Sequence, residues 1–386
     1  MYISRIAEKQ LEKMLKSPKI AIIIGARQVG KTTLVEHLLS GEKTAFLNLD
    51  IEVDKQRLLA ISALDPKAMM KALAEPKFLV IDEAQRLPEV GRIVKGVYDA
   101  KVPIKVILSG SSSLDLLNQT AESLTGRNEK LFLPPLVFQE IIAAQSWYSD
   151  AFGSNELQDK FQRQLHAVLL ENIIFGSYPE VVSSAEKEKI ILGLASDYLF
   201  KDILQLGLIK TPNLIKNLLM LLSHQVGSEV SVNELSISLG IARPTVERYL
   251  DLLEQTYVIF RLPAYSTNPR KEITKSNKIY FWDTGIRNAL INEFSVNEQR
   301  SDIGALWENW AVAELAKQNL LSGQRKNLYF WRSRAGGEVD LVMREDGKLE
   351  AFEIKWKRKR TASKLFEMSY GVTPGIIDSA RPILEL

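Results

Sequence analysis

The 386-residue chain contains no cysteine, which excludes disulfides, thiolate metal sites and a cysteine nucleophile. Its three histidines, His37, His166 and His224, are scattered, so a histidine-based metal centre is not expected. Neither sign of charge dominates: the formal net charge is +3, too small to demand a polyanionic partner, although local basic clusters can still supply one. No apolar run reaches the ~20 residues that span a bilayer. The opening MYISRIAEKQ reads as an amphipathic helix without the apolar core of a signal peptide, so a cytoplasmic protein with no membrane partner is expected. Internal repeats and low-complexity tracts are missing too. What is present is an ordinary globular composition, 46% hydrophobic and 25% charged, in a chain long enough for roughly two to four domains.

Residues 19–143 alternate strand-like apolar runs with helical patterns, the signature of a parallel α/β sheet. The runs are KIAIII (19–24), TAFLNLD (44–50), KFLVID (77–82), IKVILSG (104–110) and EKLFLPPL (129–136). The first leads directly into Gly25-Ala26-Arg27-Gln28-Val29-Gly30-Lys31-Thr32, a match to the phosphate-cradling pattern G-x-x-x-x-G-K-[ST]. Gly25 and Gly30 let the backbone curl so that N–H groups around Gln28 and Val29 point inward at phosphate oxygens. Lys31 is expected on the β and γ phosphates of ATP and the Thr32 hydroxyl on Mg²⁺; Thr33 continues the helix whose positive end faces the anion. The run ending in Asp82-Glu83 supplies a carboxylate for Mg²⁺ (Asp82) and one to polarise the attacking water (Glu83). Ser109, with Ser111 as the alternative, is placed to bond the γ-phosphate or the water, or simply to cap a loop. Arg127, after a glycine and before a strand, is a candidate arginine finger acting on a neighbouring subunit of a homo-oligomer, or else a surface cation.

Beyond residue 143 the pattern turns helical to about 212. Then VNELSISL, Gly240 and PTVERYLDLLEQ precede two β-rich runs, YVIFRLPAY and KIYFWD, separated by a basic loop. This order spells a winged helix-turn-helix over 213–285, with Arg243, Thr245, Arg248 and Tyr249 on or beside the recognition helix. Arg270, Lys271, Lys275 and Lys278 fall in the wing. The last segment, 286–386, carries an amphipathic helix, ALWENWAVAELAKQ, and a strand pair, GEVDLVM and LEAFEIKW.

Taken together, GARQVGKTTL, FLVIDEAQ, LSGSSS, LTGR and LPPLVFQE, followed by GSYPEVV, DYLFKDI, RYLDLLEQTYVIFRLPAY, IYFWDTGI and FWRSRAGGEVDLV, resemble a bacterial and archaeal family over nearly the whole length. Its members join an AAA-type ATPase to a C-terminal domain of unknown function. Gly176-Ser177 stands where that family usually has paired glycines, and Lys201-Asp202 where it has Arg-Asp. The resemblance implies an α/β fold in four parts: a P-loop AAA-type parallel-sheet ATPase domain (1–143), a helical lid (144–212), the winged helix (213–285) and a small PD-(D/E)XK nuclease-like domain (286–386).

Asp346-Gly347 is a two-residue hairpin signal. It sets Asp340 opposite Glu353 and Glu338 opposite Lys355, all on one face, with Val339, Leu341, Phe352 and Ile354 on the other. Asp340, Glu353 and, from the preceding helix, Glu308 are therefore candidate ligands of a second metal, with Lys355 beside them; cross-strand ion pairs are the simpler reading. The basic run Lys355 to Arg360, with Trp356 inside it, would contact the phosphates of double-stranded DNA, or else is solvated surface, the commoner fate of a charge run. Two functions follow: an Mg²⁺-dependent, DNA-associated ATPase with a nuclease-like half, or an ATP-dependent switch that binds a protein partner and cuts nothing.

Overall fold

The structure is a computed structural model that describes residues 2–111, 124–198, 212–266, 277–323, 326–333, 336–357 and 363–384. It divides into two units, Ser4–Pro134 and Met1–Ile3 with Pro135–Leu386.

The first unit runs α1 (Ala7–Lys16), β1 (Ile20–Ile24), α2 (Lys31–Leu38), β2 (Thr44–Asn48), α3 (Glu52–Ser62), α4 (Pro66–Ala72), β3 (Phe78–Asp82), α5 (Val90–Asp99), β4 (Lys105–Gly110) and β5 (Asn128–Phe132). All sheet pairings are parallel, in the order β2-β3-β4-β1-β5. Every residue of β1 and β3 is buried, which is why these strands read as unbroken apolar runs: helices cover both faces of the sheet. β4 lies between β1 and β3, so the Gly25 loop and Asp82 leave the same edge of the sheet two strands apart.

The second unit opens with α6 (Phe138–Ala143), α7 (Ser154–Lys160), α8 (Gln162–Phe175), α9 (Pro179–Ser183) and α10 (Lys187–Gly193). Next come α11 (Pro212–His224), β6 (Glu229–Val230), α12 (Val232–Leu239), α13 (Arg243–Gln255), β7 (Ile259–Leu262) and β8 (Asn277–Phe281), whose strands pair antiparallel in the order β6-β8-β7. Ser231 caps α12 by accepting the Glu234 N–H, and Gly240 ends it at φ 65°, a left-handed turn that suits glycine. The Glu234 carboxylate in turn accepts from the Gln225 side-chain amide at 3.4 Å.

The chain finishes with α14 (Thr284–Ile291), α15 (Ile303–Leu321), β9 (Asn327–Arg332), β10 (Glu338–Glu345), β11 (Lys348–Lys355), α16 (Lys364–Tyr370) and β12 (Gly375–Asp378). The sheet order is β12-β11-β10-β9. α15 is expected to be amphipathic but is buried nearly all round, including Asn309, Glu314, Lys317 and Gln318. Asn309, Glu314, Lys317 and Gln318 each bond a neighbouring segment, whereas Trp307 Nε1 and Glu314 Oε2 have no hydrogen-bond partner among the described residues. The Asn309 amide bonds both the N–H and the C=O of Phe281 at 2.8 Å, and Glu314 accepts the Phe138 N–H. Lys317 donates to Leu136 O and Ser177 Oγ.

Candidate functional site

The loop after β1 curls as its sequence predicts. Gly30 adopts φ 93° and Gln28 φ 56°. A Cβ on Gly25 would lie 2.1 Å from the Leu133 carbonyl oxygen, so only glycine fits there. Arg5, on the segment before α1, secures the loop from behind by donating to Val29 O at 2.8 Å and Pro134 O at 2.7 Å. The buried Lys31 folds its ammonium onto Gly25 O and Ala26 O at 2.9 and 2.8 Å.

Thr32 Oγ1 donates to Asp82 Oδ2 at 2.7 Å, and Ser109 Oγ donates to Asp82 Oδ1 at 2.5 Å. Ser109 is thus committed to the carboxylate, and it orients Asp82 rather than standing free for phosphate or water. Glu83 adopts φ 49°, a conformation that costs a non-glycine residue energy and that clusters at functional positions. Its carboxylate accepts from Gln85 Nε2 at 2.5 Å and Ser111 Oγ at 3.3 Å, and Gln85 Nε2 also reaches Ser111 Oγ at 3.1 Å. The sequence marks Gln85 only by its place two residues beyond Asp82-Glu83.

These residues suit a nucleotide triphosphate with Mg²⁺. The backbone is shaped for an anion, a lysine lies at its mouth, and a hydroxyl and a carboxylate meet beside it. Gly25, Gln28, Val29, Gly30, Lys31 and Thr32 line the cradle, Thr33 continues α2, and Asp82 completes the hydroxyl–carboxylate pair.

Arg127 lies elsewhere. Its backbone carbonyl accepts the Ile20 N–H, so it sits at the opposite end of β1 from the loop, and its Nε bonds Asp99 at 2.8 Å. β1 is five residues long, about 16 Å at the usual rise, so Arg127 cannot serve the phosphate site of its own chain. A cleft of about 690 Å³ opens at this same end, lined by residues such as Phe78, Val97, Asp99 and Lys105; it is separate from the phosphate loop.

The C-terminal hairpin pairs in the expected register, Leu341 opposite Phe352 through Glu345 opposite Lys348. Asp346 (φ 47°) and Gly347 (φ 83°) form its turn. A bulge was not expected. Asp340 and Leu341 together face one residue of β9, between the pairs Val339–Trp331 and Val342–Tyr329. It leaves Asp340 Oδ2 bonding the Ile354 N–H and the Lys355 ammonium, both at 2.8 Å. Lys278, expected in the wing, is buried among Glu338 (2.8 Å), Glu308 (3.0 Å) and Asp340 (3.6 Å). Glu353 instead accepts the Ser363 N–H at 2.6 Å. Among the described residues no group of three or more His, Cys, Asp or Glu is arranged to hold a metal. Glu308 and Asp340 gather around an ammonium, and Glu353 is turned to a backbone amide.

Burial strips charge from groups in this cluster, yet the three carboxylates outweigh that and hold the Lys278 ammonium above its usual range. Burial, and then Asp340, push the Glu308 carboxyl up to about 7 against the pull of Lys278 and Tyr280.

The basic run is also more engaged than its sequence suggests. Trp356 is buried against Trp307 and His166, and Lys357 pairs with Glu298 at 3.4 Å. Arg358, Lys359 and Arg360 lie outside the described residues, as do Arg270, Lys271, Lys275, Lys201 and Asp202. On α13, Arg243 and Arg248 are exposed and Thr245 is half-buried, whereas Tyr249 is buried at 4% and so belongs to the core. No helix among the described residues is long and apolar enough to cross a membrane.

Comparison with known proteins places these features. Residues 17–142 match a family described as an AAA domain. Residues 167–297 and 303–372 match two domains of unknown function, DUF8612 and DUF4143. An uncharacterized protein of Mycobacterium tuberculosis is 30% identical over 359 residues, covering 91% of this chain and 73% of that protein. One from Methanocaldococcus jannaschii is 26% identical over 381 residues, 94% and 81% of the respective chains. Among solved structures, the Walker-type ATPase of Pyrococcus abyssi aligns with a TM-score of 0.52 at 15% identity, over 75% of this chain and 96% of that one, a likeness of fold.

Proposed function

Because the chain belongs to the family that joins an AAA domain to the C-terminal domain DUF4143, we propose that it binds ATP with Mg²⁺ at the Gly25–Thr32 loop and hydrolyses it. The observation that carries this reading is the bonding of Thr32 to Asp82 at 2.7 Å, with Ser109 fixing the other carboxylate oxygen. A hydroxyl and a carboxylate from two separate strand ends meet beside an anion cradle. Bound magnesium would draw charge off the phosphates. The chain's own residues do the rest: backbone amides and Lys31 hold the phosphates, Thr32 and Asp82 hold the ion, and Glu83 orients the attacking water.

For Glu83 to meet that water it leaves Gln85 and Ser111. Glu83→Gln should therefore keep nucleotide binding while turnover falls by about a hundredfold or more. Phosphate release and nucleotide affinity measured on the same preparation test this, and undiminished turnover rejects the assignment.

The second unit supports a narrower proposal. The order α11, β6, α12, α13, β7, β8 supports a winged-helix reading, and the exposed Arg243 and Arg248 on α13 favour contact with DNA phosphates. Affinity for duplex DNA should fall steeply with salt, because neutralised phosphates release counterions. Binding that is absent, or flat with salt, favours the protein-switch alternative. The nuclease-like reading of the C-terminal sheet gains no support from the placement of Lys278 among its carboxylates.

A further inference from the structure

With Arg127 at the far end of the sheet from its own phosphate loop, Lys31 would be joined within one chain by a further cation at the terminal phosphoryl group, where charge builds up during hydrolysis. A pair of arginines stands on the correct edge. Arg27 lies inside the phosphate loop, between the two glycines. Arg86 ends the short turn Ala84–Arg86 that follows Glu83, its N–H bonded to Glu83 O. Between them is Asp50, just past β2, where Leu49 N–H bonds the Asp82 carbonyl and Asp50 N–H bonds Asn48 Oδ1. Asp50 Oδ1 accepts from Arg86 Nε at 2.6 Å, and Asp50 Oδ2 from Arg27 Nη2 at 3.5 Å.

Two guanidinium groups approach one carboxylate, and like charges held together on one anion favour a second anion nearby. Among the described residues the Arg86 guanidinium contacts only Asp50, and does so through Nε. Its two terminal nitrogens remain for a ligand, in the fork that suits phosphate oxygens. The side chain is 29% exposed, accessible from solvent yet fixed by a short charge-assisted bond. All three groups come from the ends of β1, β2 and β3 that also carry the phosphate loop and Asp82.

We propose that Arg86, positioned by Asp50, is this chain's own cation for the terminal phosphate of ATP, so that a single copy distinguishes ATP from ADP. The proposal rests on the ATP reading above. The test compares affinities of the purified full-length chain for ADP and for the non-hydrolysed analogue AMP-PNP, both with Mg²⁺, by titration calorimetry. Arg86→Ala should weaken AMP-PNP by about tenfold or more, the loss of one charged hydrogen-bonding partner, and leave ADP within about twofold. Arg86→Lys should recover part of the preference, since it keeps the charge and loses the fork. Arg86→Gln repeats the comparison if the alanine variant fails to fold. Equal weakening of both nucleotides, or no change in either, overturns the proposal while leaving the ATP reading intact. Wild-type protein that binds neither nucleotide overturns both.

Discussion

At Lys278, the second residue of β8, a single ammonium serves three carboxylates. Glu308, Glu338 and Asp340 all reach it, and Lys355 pairs with Asp340 from the other side. Replacing Lys278 with Met would leave Glu308 with the Tyr280 hydroxyl but no cation. Breaking a buried ion pair from one side costs about 3 kcal/mol or more. The sign of its pH dependence follows from the carboxyl. Glu308 is already pushed up to about 7, and losing Lys278 pushes it higher. A folded state that binds more protons than the unfolded one loses stability as pH rises above the unfolded carboxyl value. Lys278→Met should therefore be strongly destabilised at pH 8 and regain much of that loss at pH 5, read as urea midpoints. An equal loss at both pH values would show that packing, not charge, is what Lys278 provides.

At the scale of elements, α15 shows what pattern reading can and cannot deliver. Its polar residues look solvent-facing in sequence, yet Asn309 bonds both backbone groups of Phe281 as a neighbouring strand would. Asn309→Leu keeps the branched shape, in a somewhat larger side chain, but orphans that N–H and C=O, at about 1–3 kcal/mol each. A drop of roughly 2–5 kcal/mol in unfolding free energy is expected, and a loss under ~1 kcal/mol would mean that water replaces the amide. The strands β1, β3 and β4 were legible because burial on both faces forces continuous apolar runs. The hairpin register was legible because Asp346-Gly347 admits few turns. The bulge at Asp340 was not, since nothing local in GEVDLVM marks an extra residue. Nor was Lys278: its partners lie some distance along the chain, and a lysine in a basic stretch reads as surface. In the phosphate site the motif residues were legible from spacing alone, whereas Ser109 as a holder of Asp82, and Asp50 between two arginines, appear only once the strand ends are side by side.

At the scale of the whole molecule, the division into a parallel-sheet unit and a larger mixed unit puts the Gly25–Thr32 loop, Asp82 and Glu83 together in residues 4–134. GSYPEVV and IYFWDTGI, two of the runs that carry the family resemblance, meet within the second unit. Asp283 accepts the Ser177 N–H at 2.6 Å and caps α14 at Ile286, and a Cβ at Gly176 would lie 2.0 Å from its carboxylate. That leaves the Gly25–Thr32 loop as the place where the account is most exposed. Lys31 rests on two carbonyls that a bound triphosphate would replace with stronger, charged partners. Calorimetric titration of Mg²⁺-ATP into the wild-type chain and Lys31→Ala is the most direct measurement. Saturable binding by the wild type, weakened about a hundredfold or more in a Lys31→Ala variant that melts normally, is the predicted result; equal affinity in the two proteins would contradict the account.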